Sequence, residues 1–107
     1  VVAENKPIYR DRVTLDDALG ALSCGEAGGE VSLFTVKRDD SEEPSQGAAC
    51  AEGVDFVGLE PGQNYTFTLL AFELGAPTPR WGTTCYRKAL QGAVVPAACD
   101  LLAELPP

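Results

Sequence analysis

The feature that most constrains the fold is an alternation of side chains in residues 64–72, NYTFTLLAF. Its inward-facing candidates are Tyr65, Phe67, Leu69 and Ala71. Successive side chains of an extended chain point to opposite sides, so these four share one face. Such a two-residue repeat is typical of a β-strand with one face buried in a core. The preceding letters, GLEPGQ, contain the proline and glycine of a turn.

Four further segments predict strands, because each carries apolar or β-branched residues between turn signals. They are residues 30–38, 48–59, 80–89 and 92–96. In the first, Val31, Phe34 and Val36 can share a core role, and in the second Val54 and Phe56 are in phase. Several short strands separated by turns predict an all-β fold, an antiparallel β-sandwich.

Residues 13–24, VTLDDALGALSC, allow two interpretations. Thr14 and Asp17 have the spacing of a capping box, which predicts a short helix. The turn chemistry of the Asp16–Asp17 pair, together with Gly20, favours two short strands instead. We favour the two strands.

The chain of 107 residues has the size of one domain. Residues 1–12 predict a lead segment or an edge strand, and residues 13–96 predict the sandwich. Residues 97–107 predict a C-terminal extension, either a short helix or a linker. The leucines in this extension have helical spacing: Leu101, Leu102 and Leu105.

The cysteines indicate an oxidising compartment. They are Cys24, Cys50, Cys85 and Cys99. Their wide spacing contains no C-x-x-C pair, so we expect two disulfides rather than a zinc site. The sequon Asn64-Tyr65-Thr66 predicts N-glycosylation, which takes place on the secretory route. We therefore expect a secreted or cell-surface protein. No apolar run approaches the length of a membrane span, so any anchor is expected outside this sequence.

The charge and the residue types argue against several functions. A net charge of −8 makes nucleic acid and anionic membranes poor partners, whereas a basic protein surface or a cation is compatible. Histidine is absent, and adjacent carboxylates such as Asp16 and Asp17 point apart in an extended chain. The acidic loop 39–47 lacks the alternating acidic pattern of an EF-hand. We therefore expect no enzyme activity, no cofactor and no bound metal.

Residues 58–71, GLEPGQNYTFTLLA, resemble the corner between strands E and F of fibronectin type III domains. The matching positions are Leu59, Pro61, Gly62, Tyr65, Phe67, Leu69 and Ala71. In that family the tyrosine buries its ring at this corner, and the leucine six residues earlier packs against it. The resemblance therefore implies a structural role for Leu59 and Tyr65. It covers roughly residues 13–88, and the family's B-strand tryptophan would fall near Cys24.

The resemblance also implies a disulfide pairing, out of three possible connectivities. Cys24 falls at the end of strand B and Cys50 near the start of strand E, and these strands are antiparallel neighbours in the family. Cys85 and Cys99 would then join strand G to the C-terminal extension. Ordinary members of the family lack disulfides, so this chain would be a cysteine-stapled variant, and the alternative is an immunoglobulin-like or unrelated extracellular sandwich. Each bond would contribute roughly 3 to 3.5 kcal/mol by the loop-entropy argument.

Finally, the resemblance implies an exposed apolar face. If the alternate residues of 64–72 point inward, Leu70 and Phe72 point outward, and Leu33 lies on the same side of the neighbouring strand C. Trp81, on the adjoining strand, belongs to the residue type most enriched at interface hot spots. An alternative is that the leucines of the C-terminal extension cover this face.

Together these features predict an extracellular protein-recognition module of an adhesion or receptor ectodomain. The first alternative is a structural spacer domain in a modular cell-surface or secreted protein. The second is a secreted inhibitor or accessory domain whose loop 75–81, GAPTPRW, enters an enzyme cleft.

Overall fold

The computed structural model describes residues 10–42, 44–57, 63–88, 94–96 and 98–106. Within these ranges the chain forms nine β-strands, and no described segment is a helix able to cross a membrane. The strands are β1 (Arg10–Thr14), β2 (Leu33–Arg38), β3 (Gln46–Ala49), β4 (Gly53–Val57), β5 (Asn64–Phe72), β6 (Trp81–Lys88), β7 (Val94–Pro96), β8 (Ala98–Cys99) and β9 (Ala103–Glu104).

The strands form two sheets that share one core. The smaller sheet has the order β4-β1-β7, and the larger has the order β3-β2-β5-β6-β8, with β9 also paired to β6. The pairings between named strands are antiparallel except that β1 and β7 run parallel. The predicted all-β sandwich is therefore confirmed, and the parallel pair is a departure from a purely antiparallel arrangement.

The longest strand, β5, lies between β2 and β6 in the larger sheet. Its alternate residues are buried as the sequence predicts: Tyr65, Phe67, Leu69 and Ala71. On β2, Val36 and Phe34 are buried beside them, again as predicted. Across the core, the ring of Phe67 lies 4.7 Å from the ring of Phe56 on β4, measured between centroids. This aromatic contact joins the two sheets.

The tyrosine expected at the corner is buried at the start of β5. The guanidinium carbon of Arg38 lies 5.4 Å from the centre of the Tyr65 ring, a cation–π contact. The remaining residues of the predicted corner lie outside the described residues: Leu59, Pro61 and Gly62.

Residues 15–24 form turns, so both the helix and the second strand predicted for this segment are wrong. The amides of Ala18 and Leu19 both donate to the carbonyl of Leu15, which closes a tight turn. Gly20 then takes a left-handed conformation with φ 56°, which interrupts regular strand geometry. Leu15 and Ala18 are buried, so the turn contributes to the core without pairing in a sheet.

The chain crosses from the larger sheet to the smaller sheet between β3 and β4. The strand predicted over residues 48–59 is divided here, because the amide of Glu52 donates to the carbonyl of Ala49 and closes a turn. Val54 and Phe56 lie on β4 beyond this turn and are buried, as their spacing predicts.

The C-terminal residues 98–106 extend the larger sheet. β8 places Cys99 beside Cys85 of β6, and β9 places Ala103 beside Gly82 of the same strand. Neither a terminal helix nor a free linker describes this part of the chain, so both of those predictions are wrong. The leucines of this extension have helical spacing, but the segment forms strands because it pairs with the open edge of β6.

Two disulfides are present, Cys24–Cys50 and Cys85–Cys99. This is the pairing that the resemblance implies, but the reason for the first bond differs from the expected one. Cys24 forms an isolated bridge with Val31, and the amide of Cys50 donates to the carbonyl of Ser32. Both cysteines are thus held at the start of β2, and no strand B is involved.

The disulfides close loops with sequence separations of 26 and 14 residues. By the loop-entropy argument they contribute about 3.5 and about 3 kcal/mol to the free energy of unfolding. Two such bonds in a domain of this size indicate an oxidising environment.

We predict that Phe67→Ala lowers the free energy of unfolding by about 3 to 5 kcal/mol, because it removes the aromatic contact between the sheets. Thr84→Ala, on the outer side of neighbouring β6, is the matched control and should change it by less than about 0.5 kcal/mol. Urea unfolding followed by tryptophan fluorescence measures both. Equal effects of the two substitutions would show that Phe67 is not central to the core.

Candidate interaction surface

The larger sheet has one face toward the core and one face toward solvent, here called the outer face. Strand alternation and the pairing register assign its residues. They are Leu33, Thr35, Lys37, Gly47, Ala49, Asn64, Thr66, Thr68, Leu70, Phe72, Gly82, Thr84, Tyr86, Ala98 and Ala103. None of these residues is acidic, although the chain has 16 acidic residues in all.

Two carboxylates contact side chains of the outer face. The hydroxyl of Thr68, on the central strand β5, donates to Asp39 at 2.6 Å, so this carboxylate lies over the face itself. Near the β8 edge, the hydroxyl of Tyr86 donates to Asp100 at 3.4 Å. The middle of the outer face is therefore polar, with Lys37 and Asp39 beside Thr68, and a second carboxylate lies at the β8 edge beside Tyr86.

The smaller sheet is different, because its exposed side carries a charged pair. Arg12 of β1 and Asp55 of β4 are register partners, and their side chains form an ion pair at 3.0 Å. Both side chains are partly exposed, so the pair is worth at most about 1 kcal/mol. Such cross-strand pairs are typical of a solvated sheet face.

One end of the outer face is apolar. Leu33 of β2 lies opposite Phe72 of β5, and Leu70 lies two residues further along the same side of β5. Leu33 is 39% exposed, and the other two side chains are half-buried. The structure therefore brings together three of the four residues predicted to bind a partner.

The fourth, Trp81, does not belong to this face, so its predicted place there is wrong. It is 4% exposed and lies opposite Ala71, an inward-facing residue of β5. The small alanine leaves space for the indole, and the guanidinium carbon of Arg80 lies 5.0 Å from the centre of the Trp81 rings. Trp81 is a core residue.

The C-terminal extension covers part of the outer face. A Cβ atom at Gly82 would lie 3.1 Å from Cδ2 of Leu105 and 3.3 Å from Cδ2 of Leu70, so these leucines meet above the glycine. Leu102 instead packs against the core, and its amide donates to the carbonyl of Ala18. The three leucines of the extension thus have three different surroundings, since Leu101 is 64% exposed.

The loop between β5 and β6 is held by an ionic network. Arg80 contacts Glu73 at 3.1 Å and Glu104 at 3.4 Å. Glu73 also accepts a hydrogen bond from the backbone amide of Gly29 at 2.9 Å. Because that amide and the guanidinium both favour the charged form, the pKa of Glu73 is lowered from its usual value of 4.5. The same pairing with Glu73 raises the pKa of Arg80.

A surface pocket of about 670 Å³ adjoins this network, between the loop and the end of the extension. Its lining residues are Glu73, Ala76, Thr78, Pro79, Arg80, Glu104, Leu105 and Pro106. The one basic group in this lining is Arg80, and it is already paired with two carboxylates. The loop proposed for insertion into an enzyme cleft is therefore tied to the body of the domain at Arg80.

Acidic residues of the loop after β2 are engaged with separate neighbours. Asp40 pairs with Arg38 at 2.6 Å, whereas Asp39 contacts Thr68. Across the described ranges, histidine, cysteine and acidic side chains form no group of three able to hold a metal ion.

The predicted glycosylation site lies at the other end of the outer face from Leu33. Asn64 and Thr66 are exposed at the start of β5. Tyr86 of β6 lies directly opposite Thr66 and is 48% exposed. A second pocket, of about 260 Å³, is lined here by Asn64, Tyr65, Thr66, Tyr86, Arg87 and Ala98.

Comparisons of the chain with protein-family models, with curated proteins and with solved structures gave no match. The surface is therefore interpreted from its own residues.

Sequence reasoning missed three residues that shape this surface. Tyr86 could have been found, because it follows Cys85 in an alternating strand and must face outward when the cysteine faces inward. The contact of Leu105 with Gly82 and the contact of Arg80 with Glu104 carried no local signal, since each joins residues that are far apart in the sequence.

We predict that the stability contributed by Glu73 depends on pH. Its pKa is lower in the folded state than in the unfolded chain, so its contribution is complete above the ordinary value of 4.5 and is lost as pH falls through the folded-state pKa. The stability difference between the native protein and Glu73→Gln should be constant near neutral pH and shrink in acid. Glu52→Gln is the control substitution. Urea unfolding from pH 7 to pH 3 measures the difference, and a pH-independent difference would contradict the prediction.

Proposed function

We propose that this chain is an extracellular, non-catalytic recognition module, similar in kind to a fibronectin type III domain, within an adhesion or receptor ectodomain. Two disulfides support an oxidising, extracellular setting. The proposed partner is a protein. Nucleic acid is disfavoured by the net charge of −8, and any membrane attachment would require an anchor beyond this sequence.

The observation that carries this proposal is the apolar end of the outer face at Leu33, Leu70 and Phe72. Interfaces between proteins combine a centre depleted of charge with a polar rim. The apolar end provides such a centre, and Asp39 and Asp100 contact the face outside that end, at Thr68 and Tyr86. Contiguous exposed apolar residues on a soluble domain mark contact sites more often than solvated surface.

Charge complementarity indicates the chemistry of the partner. An apolar patch on a domain with a net charge of −8, with Asp39 on the same face, is matched by an apolar contact surface that is surrounded by lysine or arginine side chains. Association with such a partner should slow as salt is added, because screening weakens the steering between opposite charges.

A second candidate function is that of a spacer domain. It is favoured by the C-terminal extension, because Leu105 takes up the apolar surface around Gly82 and Leu70. A spacer would present no binding face once that surface is covered. The exposure of Leu33 distinguishes the candidates, since the extension leaves this side chain accessible.

We predict that Leu33→Glu weakens partner binding at least about tenfold, because it places a charge in the apolar end of the face. The disulfide-bonded domain, secreted from eukaryotic cells, would be screened against a panel of purified extracellular proteins by biolayer interferometry. Leu101→Glu is the matched control, since this leucine is 64% exposed and lies beside Gly20, outside the apolar end of the face. Binding that both variants retain equally, or the lack of any partner on the panel, would favour the spacer.

A further inference from the structure

The end of the outer face opposite to Leu33 combines an acceptor sequon with an exposed aromatic ring. Asn64 and Thr66 point to the same side of β5, and Tyr86 faces Thr66 directly across the pair of strands. Asn64 is therefore the diagonal neighbour of Tyr86, at a separation of roughly 7 to 8 Å that long substituents bridge. The space between them is the 260 Å³ pocket.

We propose that Asn64 carries an N-linked glycan whose first sugars lie on the outer face, over Thr66 and against the ring of Tyr86. The proposal rests on the extracellular setting proposed above, because N-glycosylation takes place on the secretory route. It goes further by assigning the glycan a specific contact on the protein.

The chemistry of the pocket suits a sugar. The ring of N-acetylglucosamine has a face of C–H bonds with slight positive charge, and an aromatic ring presents a negatively charged face. The hydroxyl of Tyr86 donates to Asp100 at 3.4 Å, which restrains the ring. The hydroxyl of Thr66, directly opposite Tyr86, adds a polar group beside this ring.

This placement leaves the apolar end of the outer face accessible. Asn64 and Phe72 are the first and last residues of a nine-residue strand, which separates them by about 27 Å. Two sugars laid from Asn64 toward Tyr86 remain at their own end of the sheet. The glycan would cover an exposed aromatic side chain without covering Leu33, so glycan and partner can occupy the same face together.

The experiment is a thermodynamic cycle between the glycan and Tyr86. The protein is secreted from eukaryotic cells, and its glycan is trimmed enzymatically to the first N-acetylglucosamine. This trimmed protein is compared with the same protein after complete deglycosylation. The same pair is prepared for Tyr86→Thr, which removes the ring, and for Leu74→Thr, which removes an exposed apolar side chain elsewhere. Loss of the Tyr86 hydrogen bond affects the trimmed and the deglycosylated Tyr86→Thr protein equally. It therefore cancels from the difference between their stabilities.

We predict that the sugar raises the melting temperature of the native sequence by about 4 °C, because it adds a stacking contact. The same increment is expected in Leu74→Thr, and less than half of it in Tyr86→Thr. Proton NMR of the trimmed protein should show upfield shifts of sugar C–H protons, caused by the aromatic ring. Equal increments in all three proteins, or sugar shifts unaffected by Tyr86→Thr, would overturn the contact with Tyr86.

The outcomes separate this inference from the proposed function. An unmodified Asn64 in protein that is secreted with both disulfides intact would overturn the glycan proposal, whereas the Leu33→Glu experiment would still decide the recognition function. Failure of Leu33→Glu to affect binding would overturn the recognition function without changing the glycan cycle.

Discussion

Burial of the inner face of β5 is the interaction on which the rest of the structure depends. This strand has a neighbour on each side and places Phe67 against Phe56 of the opposite sheet. Because strand side chains alternate, burying this row forces Leu70 and Phe72 to the outer side. The core and the candidate interaction surface are thus two consequences of one alternation. A change of pairing register by one residue would exchange them, exposing phenylalanine and burying threonine.

The parts of the fold that depend on local patterning could be predicted from the sequence. Alternation identified the buried residues of β5, and two-residue spacing identified Phe34 and Val36 on β2. The errors lie where a distant contact decides the structure. The segment after β1 forms a turn because Leu15 and Ala18 find space in a core built by other strands, and the final leucines follow the open edge of β6. Trp81 was misplaced for a related reason, since its inward orientation depends on the register with Ala71.

The two disulfides hold different parts of the larger sheet in place. Cys24–Cys50 secures both chain segments that flank the start of β2, so it fixes the apolar end where Leu33 is exposed. Cys85–Cys99 holds the extension to β6 and thereby carries Asp100 to Tyr86 and Leu105 to Gly82. The same extension covers only part of the outer face, because Leu105 lies over Gly82 while Leu33 stays exposed.

The central claim is that these strands and their disulfides have the described register, and a non-reducing tryptic map tests it most directly. Cleavage after lysine and arginine places the four cysteines in separate peptides, residues 13–37, 39–80, 81–87 and 89–107. Mass spectrometry of the secreted protein should find the first linked to the second and the third linked to the fourth. Any link between the first or second peptide and the third or fourth would contradict the fold, and with it the outer face.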